Sequence, residues 1–245
     1  MSLYLNVPFS QKEEAKALGA KWNPGVKKWY VNCSCEDYDK YAKWLLNGNN
    51  SVIVGMDEIF IVDGKMRCWK CGSLTTVFGL GLNNFVRLFD YDSKIVTEYS
   101  HEFITSHSLL RLAYTDKIDC IPPALLRYIE SNYNVRNQYS KSKKRVVFAN
   151  HCEKCKARLG NWYVYDRQES PFCTEAANGR ELRSRMECLN IKCIAICDEI
   201  PLFWKCSYTP NDYAYLEYAN VETLSLTQKK DGIASYSDLF SKKIY

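Results

Sequence analysis

Apolar and polar residues alternate at the start of the chain, from Leu3 through Leu5 to Val7, and a period of two is the mark of a half-buried strand. Ser10 to Glu13 then has the form of a helix capping box, with Ser at the cap and Glu three residues on. A helix carrying Ala15, Ala17 and Leu18 is expected to follow and to end near Gly19. Pro24 and Gly25 turn the chain, 29–31 reads as a second strand, and Tyr38, Tyr41, Ala42 and Leu45 recur at helical spacing over 36–46. The polar stretch from Asn47 to Ser51 is of linker type. The pattern therefore predicts an N-terminal module of two strands and two helices over 1–48 and a second domain over 52–245.

Beyond the linker, strand-like runs at 51–54 and 58–62 lead towards Cys68. Helical pieces are expected at 102–114 and at 124–133, the latter after Pro122 and Pro123, because proline suits the first helical position. Strand-like runs return at 145–149, 161–165 and 202–207. Helices and strands that alternate without a regular βα repeat argue for an α+β fold. No internal repeat or low-complexity segment interrupts the pattern.

Composition changes this picture in two ways. A hydrophobic share of 47% in 245 residues is enough for a sizeable core, yet no stretch reaches the roughly 18 consecutive apolar residues of a membrane span. The N-terminal residues have neither the charged leader nor the long apolar core of a secretory signal, so most of the twelve cysteines are read as thiols of a cytoplasmic protein. The net charge of +5 is modest, but it is concentrated: Lys141, Lys143, Lys144, Arg145, Lys154, Lys156 and Arg158 face only Glu153 between 141 and 158.

The candidate chemistry lies in two Cys-x-x-Cys pairs, Cys68 with Cys71 and Cys152 with Cys155. Each follows a strand-like run, and a strand that turns sharply presents two thiolates to one tetrahedral ion. One Zn2+ bound by all four is the expectation, with unmetallated thiols or a site using His151 as alternatives. Gly72 would help the first turn through its tolerance of positive φ. The separation of about 80 residues between the pairs requires a folded insertion between them. Four protein ligands leave no open position for water, so the ion would be structural. Cys188, Cys193, Cys197 and Cys206 lie among apolar neighbours and read as buried thiols, whereas Cys33 and Cys35 lack nearby partners. Cys173 reads as a surface or buried thiol, with a nucleophile beside an unseen base as the alternative, and Cys120 carries no clear signal.

Two resemblances add to this. Tyr4 to Phe9, Glu14 to Trp22 and Lys27 to Val31 together resemble a short uncharacterised module of conjugative-plasmid DNA primases and phage polyvalent proteins. That covers about a fifth of the chain and implies a mobile-element setting more than an activity. The segment from Tyr139 through Cys152 and Cys155 to Gly160, Pro171 and Phe172 resembles uncharacterised bacterial zinc-ribbon proteins, which implies a zinc ribbon with a long insertion.

For function, Lys21, Trp22, Lys27, Lys28 and Trp29 interleave cations with aromatic rings, as a surface for phosphates and unpaired bases would. The two tryptophans equally suit the core of so small a module. Lys141, Lys143, Lys144 and Arg145 form the second candidate nucleic-acid contact, and the neighbouring cations could instead balance the negative charge of a four-thiolate zinc site. No phosphate loop, His-Glu-x-x-His or Gly-x-Ser-x-Gly motif is present. The reading is of a non-catalytic, zinc-stabilised accessory protein that binds nucleic acid weakly. A host-protein inhibitor or effector, with tyrosines such as Tyr208, Tyr213, Tyr215, Tyr218, Tyr236 and Tyr245 as its contact surface, and an enzyme of unrecognised class stay open.

Overall fold

The computed structural model describes residues 1–91, 94–99, 109–175, 179–206 and 208–241. The fold is α+β. In the first 46 residues β1 (Leu3–Leu5), α1 (Lys12–Ala17), β2 (Lys21–Asn23), β3 (Lys28–Val31) and α2 (Ala42–Leu46) follow one another. β3 is the middle strand of a small antiparallel sheet ordered β1-β3-β2. The hairpin between β2 and β3 turns on Asn23, whose Oδ1 accepts the backbone N–H groups of Gly25 and Val26.

Eight strands come next in the main body: β4 (Ser51–Met56), β5 (Glu58–Arg67), β6 (Leu74–Leu82), β7 (Asn84–Tyr91), β8 (Lys94–Tyr99), β9 (Arg111–Tyr114), then α3 (Pro123–Asn132), β10 (Val135–Ser140) and β11 (Arg145–His151). The chain continues through β12 (Arg158–Leu159), a π-helical turn at Trp162–Asp166, α4 (Gly179–Met186), β13 (Asn190–Ala195), β14 (Ile200–Leu202), β15 (Lys205–Cys206), α5 (Ala214–Tyr218), β16 (Asn220–Thr223) and α6 (Tyr236–Phe240). These strands form a six-stranded sheet ordered β15-β9-β6-β5-β13-β16, a four-stranded sheet ordered β14-β4-β7-β8, and a three-stranded sheet ordered β10-β11-β12.

The apolar runs of the sequence are continuous rather than alternating in the central strands because both faces of those strands are buried. Along β5, Ile59 and Ile61 enter a core with Phe85, Ile53 and Leu125, whereas Phe60 and Val62 enter another with Leu182, Met186 and Tyr215. β4 is divided in the same way: Ile53 faces the first core, and Val52 and Val54 pack with Leu3, Tyr38, Trp44 and Leu45 of the N-terminal module. The protein is thus layered, with the module on one outer face, the four-stranded sheet, the main core, the six-stranded sheet, and a second core beneath α4 and α5. β1 joins the module to the body, since Leu3 bridges to Glu199 and the Glu199 N–H donates to the Ser2 carbonyl.

Several expectations change. Ser10 lies in a 3-10 turn at Phe9–Gln11 and α1 starts at Lys12 without a side-chain cap, so the capping box does not form. Gly19 does end the helix region, at φ +88°. A third strand, β2, joins the two expected in the module, and 36–46 divides into a 3-10 stretch at Cys35–Tyr41 and the short α2. Residues 111–114 are strand, not helix, because Leu112 and Ala113 complete the six-stranded sheet beside β6; His101, His107 and most of the helix expected at 102–114 lie outside the described residues. The strand expected at 161–165 is a π-helical turn, its Val164 and Tyr163 N–H groups both bonded to the Gly160 carbonyl. Cys188 and Cys197 are exposed rather than buried, and Tyr215 and Tyr236, expected in a contact surface, belong to the cores.

A polar cluster sits where the six-stranded sheet meets α3. Asp63 on β5 accepts hydrogen bonds from the Tyr133 hydroxyl and the Lys192 ammonium. Both charged side chains are only 16% and 14% exposed. Burial by itself would lower the Lys192 pKa, but the bond to Asp63 raises it.

Candidate metal centre and basic surface

Cys68 follows directly on the end of β5 and Cys152 on the end of β11, and the two turns share one backbone design. The Gly72 N–H returns to the Cys68 carbonyl and the Cys68 N–H bonds the Ser73 carbonyl, each at 2.9 Å. In the second turn the Lys156 N–H returns to the Cys152 carbonyl at 3.0 Å and the Cys152 N–H bonds the Ala157 carbonyl at 2.9 Å. The residue after each pair is left-handed, Gly72 at φ +68° and Lys156 at φ +60°. Glycine takes that conformation freely, and lysine there is held by its surroundings, including a 2.7 Å bond from Arg136 to its carbonyl.

The two turns meet. Cys68 Sγ lies 3.6 Å from Cys155 Sγ, and Cys71 Sγ 3.7 Å from Cys152 Sγ, with all four sulfurs within 4.8 Å of one another. Sulfurs placed about 2.3 Å from one tetrahedral ion stand roughly 3.8 Å apart, which is close to this spacing. A disulfide would need about 2.05 Å. The four cysteines therefore form a cluster that can hold a metal ion. The Cys71 thiol is held down at about 6 by hydrogen bonds from the Ser73 side chain and backbone, and Cys152 is lowered first by the Cys155 N–H. Cys155 has the lowering influence of the Ala157 N–H too, but burial and the three neighbouring sulfurs push it up to about 11. Four sulfurs so close cannot all ionise unless a cation joins them.

Side chains from both sides of the long intervening segment brace the meeting point. The Glu153 N–H donates to Thr75 Oγ1 and the Glu153 carboxylate accepts from the Thr76 N–H. Asn150 pairs with both backbone groups of Phe78 at 3.0 Å, as a neighbouring strand would. His151 is not a ligand: its Nδ1 faces the Ala149 carbonyl and its Nε2 the Gln138 side chain, each at 2.8 Å.

Lys141 to Lys144 form the turn of the β10–β11 hairpin, and all four candidate cations of this run are exposed. They are not equivalent. Asp116 binds Lys143 and makes two 2.9 Å contacts to Arg145 Nη2, whereas no carboxylate pairs with Lys141 or Lys144 among the described residues. Burial raises the Asp116 pKa, but Lys143 and Arg145 outweigh it and hold the carboxyl below its usual range.

In the module the register sets Trp22 directly opposite Trp29. Trp29, read as either a core residue or a nucleic-acid contact, is buried in the module core, because alternation along β3 turns it inward. Trp22 is 49% exposed on the edge strand and meets Trp29 edge-on at 5.6 Å. Lys21 and Lys27 are exposed, while Lys28 is half-buried, bonded to Asn6, and lowered in pKa by that burial. Arg158, Asn161 and Trp162, three residues that sequence reasoning did not single out as contacts, line a cavity with Lys143 and Arg145. No periodicity marks them, since the π-helical turn that displays Trp162 has no sequence signature.

No helix among the described residues is long and apolar enough to cross a membrane. No solved structure matches the chain. Two curated proteins, both DNA primase TraC of Escherichia coli, are 44% identical over 55 residues and 46% identical over 41 residues. These alignments cover 22% and 17% of this chain but only 5% and 3% of the two relatives' lengths. Residues 2–45, the β1–α2 module with its Trp22–Trp29 pair, match a domain of unknown function (DUF5710).

Proposed function

We propose that the chain is a non-catalytic accessory protein of a bacterial or mobile-element system, stabilised by one Zn2+ ion, that binds nucleic acid weakly and without strong sequence preference. The observation that carries the nucleic-acid reading is the hairpin tip, where Lys141 and Lys144 are exposed and, among the described residues, without ion-pair partners beside Lys143 and Arg145. The similarity of the module to part of a DNA primase supports it. Lys21, Lys27 and the exposed Trp22 form the second proposed contact, with Lys28 behind them. Zinc is the proposed ion because four thiolates at tetrahedral spacing suit it, and a closed four-thiolate shell leaves no position for a substrate or water. Twelve free thiols accord with a reducing cytoplasm.

Phosphate contacts release counterions, so affinity for a single strand should fall with salt by a log–log slope of about −0.7 per contact. Replacing Lys141 and Lys144 together by alanine is expected to flatten that slope by about 1.4, measured by fluorescence anisotropy with a labelled oligonucleotide. Absence of binding at about 50 mM salt, where such contacts are strongest, would overturn the reading.

We also propose the division at 47–51 as the junction between two units, 1–48 and 52–245. The connecting residues 47–50 are exposed, with Asn47 and Gly48 both at positive φ. Limited proteolysis should cut near Asn49. The two fragments should nevertheless elute together, since Val52 and Val54 share a core with Leu3 and Trp44. Protection of the 47–50 backbone would argue against the division.

A further inference from the structure

Beside the basic hairpin lies a cavity of about 860 Å3 whose walls come from β9, the β10–β11 hairpin, β12 and the π-helical turn. Five cations line it, Lys117, Lys143, Arg145, Arg158 and Lys205, against the single carboxylate of Asp116. Asp116 is already engaged by Lys143 and Arg145, so the cavity keeps a surplus of positive charge. Two of its lining residues, Arg158 and Asn161, each carry a buried side-chain donor, Nη1 and Nδ2, with no hydrogen-bond partner among the described residues. A buried donor left unbonded is costly, so both side chains gain by turning that N–H towards an acceptor in the cavity. Trp162, next in sequence to Asn161, also lines the cavity and is 64% exposed, which leaves most of its indole free for stacking.

An acceptor-rich anion attached to a flat ring meets all of these features at once. We infer that this cavity binds one nucleotide unit of an unpaired strand, the phosphate on Arg158 and Asn161 and the base against Trp162. The inference rests on the nucleic-acid reading above and deepens it, because it places the specific contact in the cavity and leaves the hairpin tip as an electrostatic track. A duplex keeps its bases stacked and is the poorer ligand. The metal turn is what sets the wall: Arg158 comes three residues after Cys155, and its carbonyl accepts the Trp69 indole N–H at 3.0 Å from the other turn.

The test measures anisotropy of a labelled oligothymidine of roughly 20 nucleotides with the full chain and five variants, with metal content of each variant as the check on folding. Trp162→Ala should weaken binding roughly 10-fold, within the range for one stacked base, and leave the salt slope unchanged. Arg158→Gln should flatten the slope by about 0.7, and Asn161→Ala, which decides the matter if Arg158→Gln loses its metal, should weaken binding roughly 10-fold. The double variant Lys141→Ala, Lys144→Ala should flatten the slope yet remain sensitive to Trp162→Ala. Wild-type affinity in the Trp162 and Asn161 variants, with loss in the hairpin variant, would overturn the cavity inference and leave the nucleic-acid reading standing. Thymidine monophosphate bound more tightly than the strand would assign the cavity to a free nucleotide and overturn the strand inference. No binding of any of these probes by the wild type would remove both.

Discussion

Cys152→Ser is expected to lose most of its bound metal and to melt well below the parent protein. The physical basis is that an ion held by the four cysteines would tie together two turns distant in sequence that no disulfide links. Cys71 and Cys152 lie 81 positions apart in sequence, and their sulfurs stand 3.7 Å apart. An ion that binds only the folded state stabilises it by mass action, about 4.1 kcal/mol when free metal exceeds the dissociation constant 1,000-fold. In a chain of this length each kcal/mol corresponds to about 2–4 °C, so a drop on the order of 10 °C is expected. A strong chelator should lower the parent's melting temperature by a similar amount and barely affect the variant. Protons compete with the metal for thiolate, so occupancy should rise with pH through the range near 6 where Cys71 titrates. Elemental analysis and thermal denaturation check both quantities, and a Cys152→Ser protein with a full equivalent of metal would contradict the four-cysteine site.

The second large effect is expected at Asp63. Its carboxylate accepts from both Tyr133 and Lys192 at the junction of β5, β13 and α3, and neither charged partner is well exposed. Removing one member of such a pair leaves the other charge in place without its partner. Asp63→Ala should therefore cost about 3–5 kcal/mol, with Glu222, 3.7 Å from the Lys192 ammonium, recovering part of it. Replacing both residues, as in Asp63→Leu with Lys192→Met, should be much less costly than the single change, because apolar groups of similar volume demand no desolvation. Denaturant unfolding of the three proteins would show this. Equal destabilisation by the single and double variants would mean that packing rather than charge pairing governs the site.

Near-neighbour information in the sequence extends to particular elements. Pro123 at the first helical position, the Gly19 stop, and the strands before each Cys-x-x-Cys pair depend on φ preferences and side-chain period within a few residues, and these appear in the structure. The module was legible for the same reason: its tryptophans, Leu18-Gly19 step and lysine run form a contiguous pattern over residues 2–45. Local pattern was misleading where a segment takes its conformation from a distant partner. Arg111–Tyr114 has the composition of a helix but is strand because β6 offers it an open edge at Leu80 to Leu82. Trp162–Asp166 looks like a strand but closes into a π-helical turn, with Val164 in the second core and Trp162 outside.

The residues of the cysteine cluster could be named from spacing, because a Cys-x-x-Cys turn is a local object. Their convergence could not. It depends on β5 and β11 ending at the same place, on Asn150 docking against Phe78, and on Glu153 bonding Thr75 and Thr76, all contacts across more than seventy residues. The basic run shows the same division. Sequence located the charge at Lys141 to Arg145, but only the tertiary fold brought Asp116 up to engage Lys143 and Arg145 and left Lys141 and Lys144 without a carboxylate partner among the described residues. Charge is a property of residues, whereas neutralisation and the separation of Trp29 from Trp22 by burial are properties of what packs beside them.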